Sequence, residues 1–70
     1  MAIYKPYAYL KTIDGEEVRE YSKDSFLDLL PKLTTREVQR SDRKIFYIVD
    51  NVTANGIRFF KDDYFEIVDN

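Results

Sequence analysis

Acidic side chains near the C-terminus are the first residues of this 70-residue chain that could do chemistry. Asp62, Asp63 and Glu66 lie close together in the sequence, and paired carboxylates can divide general acid and base roles or bind a catalytic metal ion. Consecutive residues of a β-strand point to opposite faces, however, so Asp62 and Asp63 would diverge if they lay in a strand. We therefore interpret the acidic pair as surface charge at a break between two strands.

The rest of the sequence offers few catalytic residues. Histidine and cysteine are both absent, which removes the commonest general base near neutral pH, the thiolate nucleophile and the thiolate metal ligands. The serines lie at predicted cap and turn positions: Ser22, Ser25 and Ser41. The two glycines, Gly15 and Gly56, are isolated turn residues rather than parts of a phosphate-binding loop. The sequence predicts a protein that is not an enzyme and needs no cofactor.

One segment has the residue spacing, but not the ligands, of an EF-hand calcium loop. In NVTANGIRFFKD, residues 51–62, Gly56 takes the position at which such a loop turns sharply. The first, third and fifth positions hold no carboxylate, and the last position holds Asp62 where the loop needs a bidentate glutamate. We expect no metal site.

A basic segment, residues 32–44, is the candidate for nucleic-acid contact. It has five basic residues against two acidic ones, whereas the whole chain has a net charge of −2. Basic strands beside aromatic rings are one means of binding single-stranded nucleic acid. The candidate contacts are Arg36, Arg40, Arg43 and Lys44. The same charges would also keep an edge strand from pairing with other chains, so nucleic-acid binding is the alternative function.

Aromatic residues are more numerous than one small core requires. The chain has six tyrosines and five phenylalanines, and a sheet with a helix on one face has a single inner face. Predicted strand alternation places in the core Phe46, Ile48, Val52, Ile57, Phe59 and Phe65. The same alternation places on the opposite, partly exposed face Ile45, Tyr47, Val49, Phe60 and Tyr64. Tyrosine is common at protein interfaces, so the candidate interface is Tyr47, Phe60 and Tyr64.

Local signals define the elements that would position these side chains. The dipeptides at 14–15 and 55–56, Asp-Gly and Asn-Gly, predict β-hairpins with two-residue type I′ turns. The predicted pairings are Leu10 with Arg19, Lys11 with Val18, Val52 with Phe59, Thr53 with Arg58 and Asp50 with Lys61. Between the hairpins, Ser22 is the expected N-cap of a short helix that Pro31 ends. Residues 34–40 fit a short helix or an edge strand, and the strong strand that follows favours the edge strand.

Together these elements predict one α+β domain spanning residues 1–70. Its core is a small, mostly antiparallel β-sheet of about five strands, in ββαβββ order, with one short helix. The ending FFKDDYFEIVD is similar to the last strand, 3₁₀ turn and final strand of SH3-like barrels. That resemblance covers about a dozen residues and implies an SH3-like small bent barrel as the alternative fold.

The function that this pattern favours is binding rather than catalysis. Small size, few catalytic residues and surplus aromatics are typical of accessory proteins and inhibitors of phage or mobile-element type. We expect a regulatory module that binds another protein, either a foreign partner or a second copy in a homodimer. The N-terminal segment lacks the apolar stretch of a signal peptide, and no apolar run is long enough to span a membrane. We therefore expect a cytoplasmic protein with no membrane partner.

Overall fold

The computed structural model describes residues 6–68 as a five-stranded antiparallel sheet, a separate two-stranded hairpin and one short helix. The elements are β1 (Ala8–Lys11), β2 (Glu17–Tyr21), α1 (Lys23–Leu29), β3 (Thr35–Arg40), β4 (Arg43–Ile48), β5 (Val52–Ala54), β6 (Ile57–Phe59) and β7 (Tyr64–Ile67). A 3₁₀ turn, Leu30–Lys32, follows α1. The sheet has the order β2-β1-β7-β4-β3, and β5 pairs with β6. The predicted α+β class is confirmed. Within residues 6–68 the outer strands β2 and β3 do not pair with each other, so the alternative fold, an SH3-like barrel, is not formed.

The first hairpin has a different turn from the one predicted. The Gly15 amide donates to the Thr12 carbonyl oxygen at 2.8 Å, and the Thr12 amide donates to the Glu16 carbonyl oxygen at 2.8 Å. Gly15 has a φ of +88°, whereas Asp14 does not have a positive φ. A type I turn followed by a left-handed glycine forms a G1 bulge, so the type I′ prediction is wrong.

A second irregularity, at Val18 of β2, changes the pairing of the two strands near the turn. Leu10 faces Arg19 as predicted, but the register then shifts and Lys11 faces Glu17 instead of Val18. The extra residue in β2 compensates for the longer turn, so the side chains of β1 keep their predicted faces. Leu10 therefore stays in the core, with 4% of its surface exposed.

The helix begins and ends where the sequence predicts. The Ser22 hydroxyl accepts a hydrogen bond from the Ser25 amide at 3.2 Å, which caps the N-terminus of α1. Phe26 and Leu29 lie on its buried side, and Pro31 lies in the 3₁₀ turn that ends it. Residues after this turn form β3, which confirms the edge-strand interpretation over the helical one.

The last part of the chain contains a break that the sequence analysis missed. The strand predicted to run from Ile45 into the second hairpin stops at Ile48, whose amide and carbonyl groups bond to the backbone of Asp63 and Asp62 at 2.9 Å. The hairpin β5–β6 starts anew after the break. The Lys61 amide donates to the side-chain oxygen of Asn51 at 2.7 Å, so the predicted Asp50–Lys61 pairing does not form.

The hairpin β5–β6 itself matches its prediction. Asn55 and Gly56 have φ values of +52° and +76°, as a type I′ turn requires. The observed register pairs Val52 with Phe59 and Thr53 with Arg58.

The core lies between one face of the sheet, the helix and this hairpin. Phe26 of α1 packs edge-on against Phe65 of β7, with ring centroids 5.2 Å apart, and Phe59 of β6 lies 6.1 Å from Phe65. Phe59, Phe65 and Ile48 are buried as predicted. The remaining members of the predicted core face pack against this cluster while staying partly exposed: Phe46, Val52 and Ile57.

Candidate functional site

The face of the sheet opposite the helix carries most of the candidate residues. Because Phe65 contacts the helix, strand alternation turns its neighbours Tyr64 and Glu66 to the other side. We call this side the open face. Its side chains from β1, β3, β4 and β7 are Tyr9, Lys11, Arg36, Val38, Arg40, Arg43, Ile45, Tyr47, Tyr64 and Glu66.

Two tyrosines form a ring pair on the open face. Tyr47 of β4 lies directly opposite Tyr64 of β7, and their ring centroids are 5.6 Å apart with the planes inclined at 51°. Both side chains are partly exposed. The pair offers a partner two large apolar surfaces with polar tips, the combination that is enriched at protein interfaces.

Arginines of the edge strand border this ring pair. Arg36 lies opposite Tyr47 in the β3–β4 ladder, with its guanidinium carbon 5.7 Å from the ring centroid. Arg40 lies four residues after Arg36 in β3, on the same face, and its Nη2 donates to the Tyr47 hydroxyl at 3.5 Å. Both arginines are exposed. Guanidinium groups held over or beside a ring can contact both apolar surface and an anionic partner.

A charged cluster occupies the middle of the open face. The Glu66 carboxylate accepts hydrogen bonds from Lys11 Nζ at 3.0 Å and from Arg43 Nη1 at 2.9 Å, and its side chain is 16% exposed. Burial raises the pKa of Glu66, but the hydrogen bonds and charges of Lys11 and Arg43 outweigh burial and hold the pKa below its ordinary value. The cluster joins three strands, and its single negative charge offsets only part of the two positive charges of Lys11 and Arg43.

The four predicted nucleic-acid contacts do not lie together. Arg36 and Arg40 lie on the open face with Val38 between them, while Arg43 contacts Glu66 and lies 3.8 Å from a carboxylate oxygen of Asp42. Lys44 points to the opposite face of β4. Its Nζ lies 3.7 Å from Glu37 Oε2. Two of the four residues, Arg36 and Arg40, therefore border the aromatic pair.

The predicted aromatic interface is brought together only in part. Tyr47 and Tyr64 are adjacent, but Phe60 follows β6, outside both sheets. It is 51% exposed and lies 6.0 Å from the guanidinium carbon of Arg58. Ile45 was expected to be partly exposed and is buried, with 6% exposure. Its central strand places it between Val38 and Glu66, which lie directly opposite it on either side.

The acidic residues do not form one site. Asp62 has a φ of +75° and lies with Asp63 in the turn between β6 and β7, where the Asp63 amide donates to the Phe60 carbonyl oxygen at 3.2 Å. Burial, with a contribution from the Asp62 charge, raises the pKa of Asp63 despite a hydrogen bond from the backbone of Ile13. Glu66 is engaged with Lys11 elsewhere. Within residues 6–68, no three acidic side chains come close enough to hold a metal ion.

Sequence reasoning missed the cluster around Glu66 because its members are distant in the chain. Lys11 and Glu66 are 55 positions apart and meet only because β1 pairs with β7. A pattern of alternating charge within each strand is the only local signal. It shows that Lys11 and Glu66 lie on the face of the sheet opposite the core, but it does not show which strands are neighbours.

Comparison with known proteins does not extend this description. No family model, curated protein or solved structure matches the chain. The described helices are too short to cross a membrane. Function must therefore be argued from the chemistry of the open face.

Proposed function

We propose that this protein is a non-enzymatic module that binds another protein through its open face. The observation that carries the proposal is the Tyr47–Tyr64 pair, which is partly exposed on a sheet face whose opposite side already holds the hydrophobic core. Tyrosine and arginine are among the residues that contribute most to binding energy at interfaces. Arg36 and Arg40 lie beside the pair and add polar, directional contacts.

The dimensions of the open face limit the kind of complex. Five strands at a spacing of about 4.8 Å, each about 14–20 Å long, give an area on the order of 400 Å². Stable interfaces of standard size bury about 800 Å² on each partner. The open face alone suits a transient contact or a peptide segment, and a larger interface would have to include an edge of the sheet.

Photo-crosslinking tests whether the open face contacts a partner. A photoreactive phenylalanine analogue at Tyr64 should give a discrete protein adduct in cells that produce this protein. The matched control places the analogue at Leu27, an exposed apolar residue of α1 on the other side of the molecule, 49% exposed. Adding Tyr47→Ser to the Tyr64 variant should reduce the adduct. Adducts from Leu27 alone would assign binding to the helix and overturn the proposal.

Light scattering distinguishes a second copy from a foreign partner. If the partner is a second copy, the mass of the purified protein should rise towards that of a dimer with concentration, and Tyr47→Ser should suppress the rise. A mass that stays monomeric, together with an adduct of different composition, identifies a foreign protein.

Single-stranded nucleic acid is a second candidate, favoured by the position of Arg36 over the Tyr47 ring. Aromatic stacking beside a guanidinium group is a common way of holding unpaired bases. With Arg36 and Arg40 as the contacts, the logarithm of the affinity should fall with the logarithm of salt concentration at a slope of about −1.4. Fluorescence anisotropy of a mixed oligonucleotide measures this slope. Absence of binding at about 50 mM salt would exclude the candidate.

A further inference from the structure

Resting on the proposed function, we propose that β3 accepts an additional β-strand from its partner, and that this strand presents acidic, apolar and acidic residues opposite Arg36, Val38 and Arg40. The partner is thus an extended acidic segment of another protein. Strand addition of this kind uses backbone hydrogen bonds for affinity and side chains on alternate positions for specificity.

The backbone of β3 is arranged for such pairing. Among residues 6–68, β3 pairs only with β4 and forms an edge of the sheet. Arg40 faces Arg43 across a two-residue turn, and the Val49 amide donates to the Thr34 carbonyl oxygen at 2.9 Å. Along an antiparallel ladder, every second residue points its N–H and C=O groups towards the partner strand. Thr34, Arg36, Val38 and Arg40 therefore point these groups towards β4, and the residues that alternate with them point theirs away. These residues are Thr35, Glu37 and Gln39.

The side chains of β3 specify the charge of the added strand. Arg36 and Arg40 are exposed on the open face, with the half-buried Val38 between them. An antiparallel strand bonded to the outward backbone groups would place its residues opposite these three in non-hydrogen-bonded pairs, where cross-strand side chains are closest. Acidic residues would meet both arginines, and an apolar residue would extend the row formed by Val38 and Ile45.

Side chains on the other face of β3 repel an acidic strand only weakly. Glu37 points to that face, and one of its carboxylate oxygens lies 3.7 Å from Lys44 Nζ. This ion pair reduces the repulsion that Glu37 would exert on an approaching acidic segment. The charge that the added strand meets is therefore set mainly by the two arginines.

A second copy of β3 fits this edge poorly in the two antiparallel registers that pair most of the strand. A two-fold axis at Glu37 would set the two copies of Glu37 against each other, and an axis at Val38 would set Arg36 against Arg40 of the other copy. Like charges directly opposite destabilise a strand pair. The same charges that discourage self-pairing of the edge select an acidic partner.

Peptide titration followed by NMR tests the proposal on the intact protein. The probe is a blocked peptide, Thr-Glu-Thr-Val-Thr-Glu-Thr, and the control peptide has lysine in place of both glutamates. We expect the acidic peptide to bind at least about tenfold more tightly, equivalent to about 1.4 kcal/mol. It should also slow amide hydrogen exchange at Thr35, Glu37 and Gln39.

Two further comparisons test the two parts of the proposal, backbone pairing along β3 and charge selection by Arg36 and Arg40. N-methylation of the central threonines, whose amides would face β3, should abolish binding, whereas N-methylation of the valine should not. The variant with Arg36→Glu and Arg40→Glu should reverse the preference in favour of the lysine peptide. Equal loss from both methylated peptides, or no change of preference in the double variant, would overturn the proposal.

The location of the response distinguishes this proposal from the broader one. Peptide shifts confined to Tyr47 and Tyr64, with β3 amides unchanged, would contradict strand addition. If the acidic peptide does not bind at millimolar concentration while crosslinking at Tyr64 persists, the proposed function stands and the strand-addition inference fails. If crosslinking at Tyr64 also fails, both are overturned.

Discussion

At the scale of single residues, the hydroxyl group of Tyr21 is the main unsatisfied polar atom in the described core. The residue is 8% exposed and packs edge-on against Phe65, and its hydroxyl oxygen has no hydrogen-bond partner among residues 6–68. Burial raises the pKa of this phenol, and the nearby Arg19 charge only partly offsets the effect. The hydroxyl therefore contributes a desolvation cost without a compensating bond.

Replacing this hydroxyl should stabilise the protein. Tyr21→Phe should raise the free energy of unfolding by about 1 kcal/mol, since an unpaired buried polar group costs about 1–3 kcal/mol. Urea denaturation measures the change. Tyr64→Phe, which removes a hydroxyl from the partly exposed open face, is the control and should change stability by less than about 0.5 kcal/mol. A loss of stability in Tyr21→Phe would show that the hydroxyl is stabilised in the folded protein and would contradict this expectation.

Glu66 should make stability depend on acid pH. Its folded-state pKa lies below the ordinary value of 4.5, so its contribution is present above that value and is lost as pH falls through the folded-state pKa. Glu66→Gln should therefore cost about 0.5–1 kcal/mol at neutral pH. The cost should shrink as the pH is lowered from neutral into the acid range, because Glu66 becomes protonated as the pH falls through its folded-state pKa.

Urea denaturation at neutral pH and at acid pH tests this expectation, with Glu20→Gln as the control. Glu20 is exposed on the edge strand β2 and is not part of the cluster with Lys11 and Arg43. Its substitution should change the free energy of unfolding by less than about 0.5 kcal/mol. A cost for Glu66→Gln that is equal at both pH values would show that the carboxylate charge does not stabilise the fold.

At the scale of elements, the two hairpins show which features the sequence determines locally. In the second hairpin, Asn55 and Gly56 both adopt positive φ values, so the turn type and the pairing of β5 with β6 follow from two residues. In the first, only Gly15 has a positive φ. The Thr12 carbonyl oxygen accepts a hydrogen bond from the Gly15 amide, and the Thr12 hydroxyl accepts one from the Glu16 amide. These two bonds support the bulged turn, which a rule based on the Asp-Gly dipeptide alone does not predict.

Longer-range pairings were beyond local reasoning. The faces of β4 and β7 were predictable because apolar and polar residues alternate there, and this placed Tyr47 and Tyr64 on one side of the sheet. Tyr47 and Tyr64 lie directly opposite each other because β7 lies between β1 and β4 in the sheet. A hydrophobic pattern fixes which side chains face the core, but several strand orders can satisfy the same pattern.

The type I′ turn should be sensitive to the loss of its glycine. Gly56 has a φ of +76°, and a methyl group added there would meet no atom of the described residues within 4 Å, apart from its chain neighbours. Any destabilisation in Gly56→Ala must therefore come from backbone strain, which is about 1–2 kcal/mol for a left-handed alanine. The melting temperature measures it. Thr53→Ala, an exposed position in β5, is the control, and an equal effect of both substitutions would contradict the strain explanation.

At the scale of the whole molecule, β7 connects the core to the open face. Its central position places Phe65 among the rings of Tyr21, Phe26 and Phe59. The residues on either side of Phe65 point the other way, into the tyrosine pair and the charged cluster. A disturbance of the core beneath β7 should therefore also displace the surface to which we assign binding.

The size of the domain makes this centre critical. A single core in a chain below about 70–80 residues rarely provides more than about 3–5 kcal/mol of stability. Phe65 is 0% exposed, and replacing a buried phenylalanine by alanine costs about 3–5 kcal/mol. Phe65→Ala should therefore leave most of the protein unfolded at room temperature, as measured by circular dichroism. Phe60→Ala is the matched control because Phe60 is 51% exposed, and it should change the free energy of unfolding by less than about 0.5 kcal/mol. A folded Phe65→Ala protein would show that the helix and the β5–β6 hairpin can hold the sheet without this shared ring.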